Sequence, residues 1–167
     1  ACKVVQIALA DDHEMYTEYG SVSAVEDHNM AVINDVETNY DFEFSDDLQF
    51  SIVEIYVATT ESEDPWTNST NINQVLNDFT DWGPTGFSNT HDVAGLWSAR
   101  QFNGDVIGLA WLNAVCTSVR YHVMEDWSSD ADMLRVLQAH EMGHNFGANH
   151  DAPGSPTIMA PAVNNTN

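Results

Sequence analysis

Positive charge is almost missing from this chain. Lys3, Arg100, Arg120 and Arg135 are its only lysines and arginines, against 26 aspartates and glutamates, for a net charge of −22. Such a surface repels phosphate backbones and anionic headgroups, which excludes nucleic acid as a partner and argues against an anionic membrane. No apolar run approaches the roughly 20 residues of a membrane-spanning helix, so insertion is not expected. Cysteine is scarce too: Cys2 and Cys116 stand alone, neither at metal-ligand spacing from the other. An even count suggests one Cys2–Cys116 bridge formed in an oxidising compartment, with two buried thiols as the alternative. The chain starts Ala1-Cys2-Lys3 without an initiator methionine, and reads as a mature secreted form from which a signal peptide and a pro-segment have been removed. Internal repeats and linkers are absent, so one monomeric domain over 1–167 is expected.

What is present is a globular composition, 43% hydrophobic, with alternating strand and helix patterns. Val4 to Ala10 reads as a buried strand, as does the β-branched, alternating stretch from Leu48 to Ala58. Shorter strands are expected over Asp92 to Trp97, Asp105 to Leu112 and Val119 to Met124. Between them, Ser21 to Asn39 carries Val22, Val25, Met30, Ile33 and Val36 at helical spacing. Thr70 to Trp82 does the same with Ile72, Val75, Leu76 and Phe79. A last helix runs from Asp130, a suitable N-cap, to Asn145. Strands alternating with helices imply an α/β domain with a mostly parallel sheet.

That last helix delivers the chemistry. His140-Glu141-Met142-Gly143-His144-Asn145-Phe146-Gly147-Ala148-Asn149-His150-Asp151 has the form H-E-x-x-H-x-x-G-x-x-H-D. His140 and His144 leave one face of a helix, one turn apart, and can share a zinc ion. Gly147 tolerates a positive φ, so the chain can turn out of the helix and bring His150 back as a third ligand. Three protein nitrogens leave a fourth position open, the arrangement of a catalytic zinc and not of a structural one. Glu141 would not bind metal; it lies where it can take a proton from a water on the metal. Met159, within Thr157-Ile158-Met159-Ala160-Pro161, follows at the distance of a Met turn beneath the zinc, the second mark of the metzincin pattern. His13, His28, His91 and His122 lack ligand spacing and read as surface or satisfied core residues.

Beyond this motif the chain resembles the adamalysin family, or reprolysins: the snake-venom metalloproteinases and ADAM-type proteases. The resemblance is carried by Asp151 after the third histidine and by three segments in family order. These are Asp12-His13-Glu14-Met15-Tyr16, His91-Asp92-Val93-Ala94-Gly95-Leu96, and Val106-Ile107-Gly108-Leu109-Ala110-Trp111 followed by Cys116. The resemblance implies the metzincin zinc-protease fold: a twisted five-stranded, mostly parallel sheet, a long zinc helix, an upper part to about 147 and a small lower part over 148–167 with the Met turn. It implies an antiparallel edge strand at Gly108, Leu109 and Ala110, along which an extended peptide substrate can add itself. Asp151 would brace the lower part by a buried hydrogen bond or from behind the ligands.

The implied activity is secreted, zinc-dependent endopeptidase action on polypeptides, with Glu141 as general base. Alternatives are a non-catalytic binding module on the same scaffold, and a metzincin of another family with narrow specificity. Two departures from the family stand out. Thr157 occupies the place of a cysteine before the Met turn, leaving Cys2 as partner for Cys116. The family's Ca2+ site would use the positions of Gln6 and Asp92, where Gln6 replaces a carboxylate, so calcium stays an open expectation beside one Zn2+.

Overall fold

The computed structural model describes residues 3–45, 47–66 and 68–163. Its centre is a five-stranded sheet in the order β2-β1-β3-β5-β4, built from β1 (Lys3–Asp11), β2 (Leu48–Val57), β3 (Val93–Ser98), β4 (Gly108–Ala110) and β5 (Tyr121–Glu125). Every pairing is parallel except that of β4 with β5. Alternation along β1 sorts the core into two layers. Val5, Ile7 and Leu9 face the cluster with Val32, Ile33, Val36, Leu137 and Met142. Ala8 and Ala10 face the opposite cluster with Val75, Leu76, Phe79 and Tyr121. The first layer is covered by α2 (Val22–Phe44) and α4 (Ala131–Asn145), the second by α3 (Ile72–Gly86). β3 is buried along its whole length, as a strand covered on both faces must be. Among the described residues no helix is long and apolar enough to cross a membrane.

The expected elements are all present, with informative differences. α2 runs on to Phe44, five residues past the expected end, and its core face is Val25, Asn29, Val32, Ile33, Val36 and Tyr40. Val22 and Met30, expected to face inward, are exposed; a buried asparagine at Asn29 interrupts the apolar stripe and conceals its true phase. α3 continues through Gly83-Pro84 to Gly86. The expected strand over Asp105 to Leu112 shrinks to Gly108–Ala110, because only there does the chain pair with β5. The pattern of apolar residues gave no sign of α1 (His13–Tyr19), a short helix whose Asp12 cap accepts from the Met15 amide at 2.9 Å and whose end is Gly20 at φ 79.

Candidate metal and active site

α4 begins where the sequence places it: the Asp130 side chain accepts from the Asp132 amide at 3.0 Å. Its exit is a Schellman motif. The Gly147 amide donates to His144 O and the Ala148 amide to Gly143 O, both at 2.9 Å, with Gly147 at φ +100. This turn carries the chain back so that His150 meets His140 and His144. The three Nε2 atoms stand 3.1–3.2 Å from one another.

The donor set fits a cation. His140 Nδ1–H donates to the Ile158 carbonyl at 2.7 Å, and His144 Nδ1–H to the Ala148 carbonyl at 2.8 Å. Those bonds fix the tautomer and leave the Nε2 lone pairs facing each other with no proton between them. Burial lowers the pKa of His140 to about 4 and also lowers that of His144, so both rings are held neutral, as ligation requires. A tetrahedral zinc with bonds of about 2.0–2.1 Å needs its nitrogens only slightly farther apart than these are. Among the described residues this is the only group of three or more His, Cys, Asp or Glu side chains with such convergence.

Glu141 is 4% exposed, and its Oε2 finds no partner in the protein. Burial pushes its carboxyl up to about 8, a shift that a cation among the neighbouring imidazoles would oppose. The edge strand passes directly over it: a side chain on Gly108 would collide with Glu141 Oε1 and come within 2.8 Å of Leu137 Cδ1. On another side of α4, Gly143 makes room for the Met turn, since a Cβ there would stand 2.5 Å from Met159 Sδ. Met159 thus packs against α4 at Gly143, next to the Ile158 carbonyl that accepts from His140 Nδ1.

Asp151 is exposed, so the brace it makes is not the buried bond expected of it. Its carboxylate accepts from Thr157 Oγ1 at 2.7 Å while its amide donates to the Met159 carbonyl at 2.9 Å. The remaining histidines stay apart from the triad: His28 contacts Tyr19 and Trp97, His91 lies against Phe87, and His122 is fully buried between Asn145 and Gln138. At the positions considered for calcium, the Asp92 carboxylate accepts from the Gln6 amide at 2.9 Å and from the Cys116 thiol at 3.3 Å. Cys116 is exposed, and its proposed partner Cys2 lies outside the described residues.

The comparisons with known proteins agree with this geometry. A reprolysin-type family model, described as metallo-peptidase family M12, matches residues 1–167. The chain belongs to metallo-peptidase family M12. Snake venom metalloproteinase atroxlysin-1 of Bothrops atrox is 30% identical to this M12 peptidase over 176 residues, covering 96% of this chain and 82% of the relative. Zinc metalloproteinase recombinant fibrinogenase II of Deinagkistrodon acutus is 29% identical over 170 residues, covering 96% and 71%. A solved structure titled as a chaperone-substrate complex shares the fold at a TM-score of 0.72 and 16% identity; the match covers 96% of this chain and 28% of that one. The M12 peptidase is therefore a zinc metalloendopeptidase, and polypeptides are its substrates.

Sequence reasoning picked out the three histidines that the fold brings together but missed what positions them. Asn145, inside the motif at a variable position, binds His122 Nδ1 at 2.7 Å and donates to the carbonyls of Trp111 (2.9 Å) and Tyr121 (3.2 Å). The amides of Asn113, Ala114 and Val115 donate to the carbonyls of His144 and Asn145, capping the helix end with the segment after β4. Asn145 inside the zinc motif was the only signal available, and spacing alone gives it no partner.

Proposed function

We propose that this M12 peptidase is a secreted endopeptidase that cuts extended polypeptides laid along β4, with His140, His144 and His150 holding zinc and Glu141 as general base. The observation that carries the reading is the unpartnered, buried Glu141 carboxylate beside three imidazoles whose free lone pairs converge. Zinc bound there supplies a Lewis acid that polarises the scissile carbonyl and acidifies the attacking water. Glu141 takes a proton from that water at a carboxylate oxygen and returns it to the leaving amine nitrogen. β4 lies at the sheet edge, and the hydrogen-bonding groups on its outer side can pair with a substrate backbone. Gly108 keeps that approach open above Glu141. Gly147 and Met159 hold the ligand loop, and Asp151 ties it to the Met turn. The upper part to about 147 and the lower part from 148 work as one catalytic unit, active as a monomer.

Secretion is supported by the venom relatives, and the Cys2–Cys116 bridge would accompany it; non-reducing peptide mapping by mass spectrometry tests both cysteines. Glu141→Gln tests the mechanism. It should retain one zinc per chain and a native circular dichroism spectrum while losing about 10²–10⁴-fold or more in peptide hydrolysis. Near-native hydrolysis by a clean preparation of this variant would refute the role of Glu141 and revive the reading of a binding module.

A further inference from the structure

The buried polar chain running from Gln138 through His122 to Asn145 has no part in the zinc chemistry, yet the fold makes costly room for it. All three side chains are completely buried. Asn145 gives both amide protons to the carbonyls of Trp111 and Tyr121, so its Oδ1 must accept, and His122 must carry its proton on Nδ1. His122 Nε2 is then an acceptor, filled by Gln138 Nε2–H at 2.7 Å. The ring occupies space that a neighbouring strand gives up. A Cβ on Gly95, in the interior of β3, would stand 2.5 Å from His122 Nε2. An apolar trio of similar shape would hold the core together about as well. What the polar chain adds is direction: it fixes which carbonyls meet the end of α4.

Those carbonyls flank the edge strand, one just past the end of β4 and the other at the start of its partner β5. Trp111 follows Ala110 directly, Ala110 pairs with His122 itself, and the Trp111 amide donates back to Tyr121 O at 3.3 Å. The same helix bears His140, Glu141 and His144, with Gln138 and Asn145 on either side of them in sequence. We infer that His122 is a positioning residue: through Asn145 it holds the edge strand β4 in fixed register with the zinc helix, so that a bound peptide lies correctly over Glu141. The inference rests on β4 being the peptide-binding strand, and its test separates the two ideas.

Zinc-loaded protein carrying Glu141→Gln, which leaves peptides uncut, is compared with and without His122→Leu, His122→Asn or Gly95→Ala. Two probes are titrated: an eight-residue apolar peptide, and acetohydroxamic acid, which needs only the metal. His122→Leu should weaken the peptide about tenfold and leave acetohydroxamic acid unchanged. His122→Asn, whose amide keeps a donor near Nδ1, should restore most of the loss. Gly95→Ala should mimic His122→Leu by displacing the ring, which covers the case of a His122→Leu chain that does not fold. Unchanged peptide affinity, or parallel weakening of both probes, overturns the positioning role. A peptide with alternate backbone nitrogens methylated tests the strand on its own. If methylation leaves affinity for the parent protein intact, strand addition fails. If it abolishes binding while His122→Leu does not weaken the unmethylated peptide, only the role of His122 fails.

Discussion

Two convergent polar clusters in this protein behave as opposites. Around Arg100, three carboxylates gather within reach: Asp64 at 2.5 Å, Glu14 at 3.1 Å and Asp12 at 3.6 Å. Around the end of α4, three imidazoles gather with Nε2 atoms 3.1–3.2 Å apart. The first cluster contains its own cation, donated by the chain. Arg100 draws α1, the segment around Asp64 and the end of β3 into one electrostatic unit, and the Asp64 and Asp12 carboxylates also accept from the His13 and Met15 amides. The second cluster has only neutral acceptors facing inward and contains no cation of its own. A convergent polar group is structural when the sequence completes it and a site when the sequence leaves it incomplete.

Removing a member from each cluster should therefore fail in different ways. The largest effect is expected at the metal. His150→Ala, or a strong chelator acting on the parent protein, should abolish peptide hydrolysis and zinc retention while leaving the sheet and helices folded, as read by circular dichroism. Equal zinc loss on replacing His13, His28, His91 or His122 would contradict the ligand assignment. Arg100→Leu should do the reverse. It leaves buried Asp12 and Asp64 without their cation and should destabilise the fold by about 3–5 kcal/mol in urea titration, with one zinc still bound per folded chain. A change within error would mean that the carboxylates relax into water or take up protons at no cost.

Acid separates the buried histidines from the clusters. Burial lowers the pKa of His28 and His122 to about 4, against roughly 6.5 in an unfolded chain. Below about pH 6.5 the unfolded state binds protons that the folded state refuses, so stability is lost progressively down to about pH 4 and is unaffected by these groups above neutrality. For fully buried His122 the loss is on the order of 2–3 kcal/mol, and less for the partly exposed His28. Urea midpoints of the parent and His122→Asn between pH 7 and 4 should converge as the pH falls; parallel curves would show that His122 takes its proton freely.

The smallest expected effect is geometric. Gly108→Ala puts a methyl against Glu141 Oε1. Zinc content should stay at one per chain while kcat/KM falls about 10–100-fold from misplacement of the base or the strand. Full activity would mean that β4 shifts outward without penalty, and would weaken the case for a fixed register.

Legibility in the sequence followed range. The convergence of His140, His144 and His150, the Gly147 exit and the Asp130 cap were readable because each is set by a few residues along or just after one helix, where 3.6-residue geometry converts spacing directly into position. Strand order was only partly readable: the apolar run from Val4 to Ala10, broken only by Gln6, announces a buried strand but not its neighbours. α1 went unseen because seven residues between an aspartate and a glycine carry too little periodicity. The phase of α2 was misread because Asn29 sits on its core face, where its Nδ2 donates to Asp11 at 2.7 Å, a bond that spacing cannot disclose.

The sequence alone determined the convergent histidine triad, the sharp exit that returns His150, and an acidic composition, since all of these depend on local geometry or on summed charge. Tertiary structure alone decided that Gly108 meets Glu141, that Gly143 makes room for Met159, and that Asn145 joins His122 to the strand beside it. Those contacts join residues far apart in the chain, and their partners are set by which strands become neighbours and how closely backbones approach, quantities that no local spacing encodes.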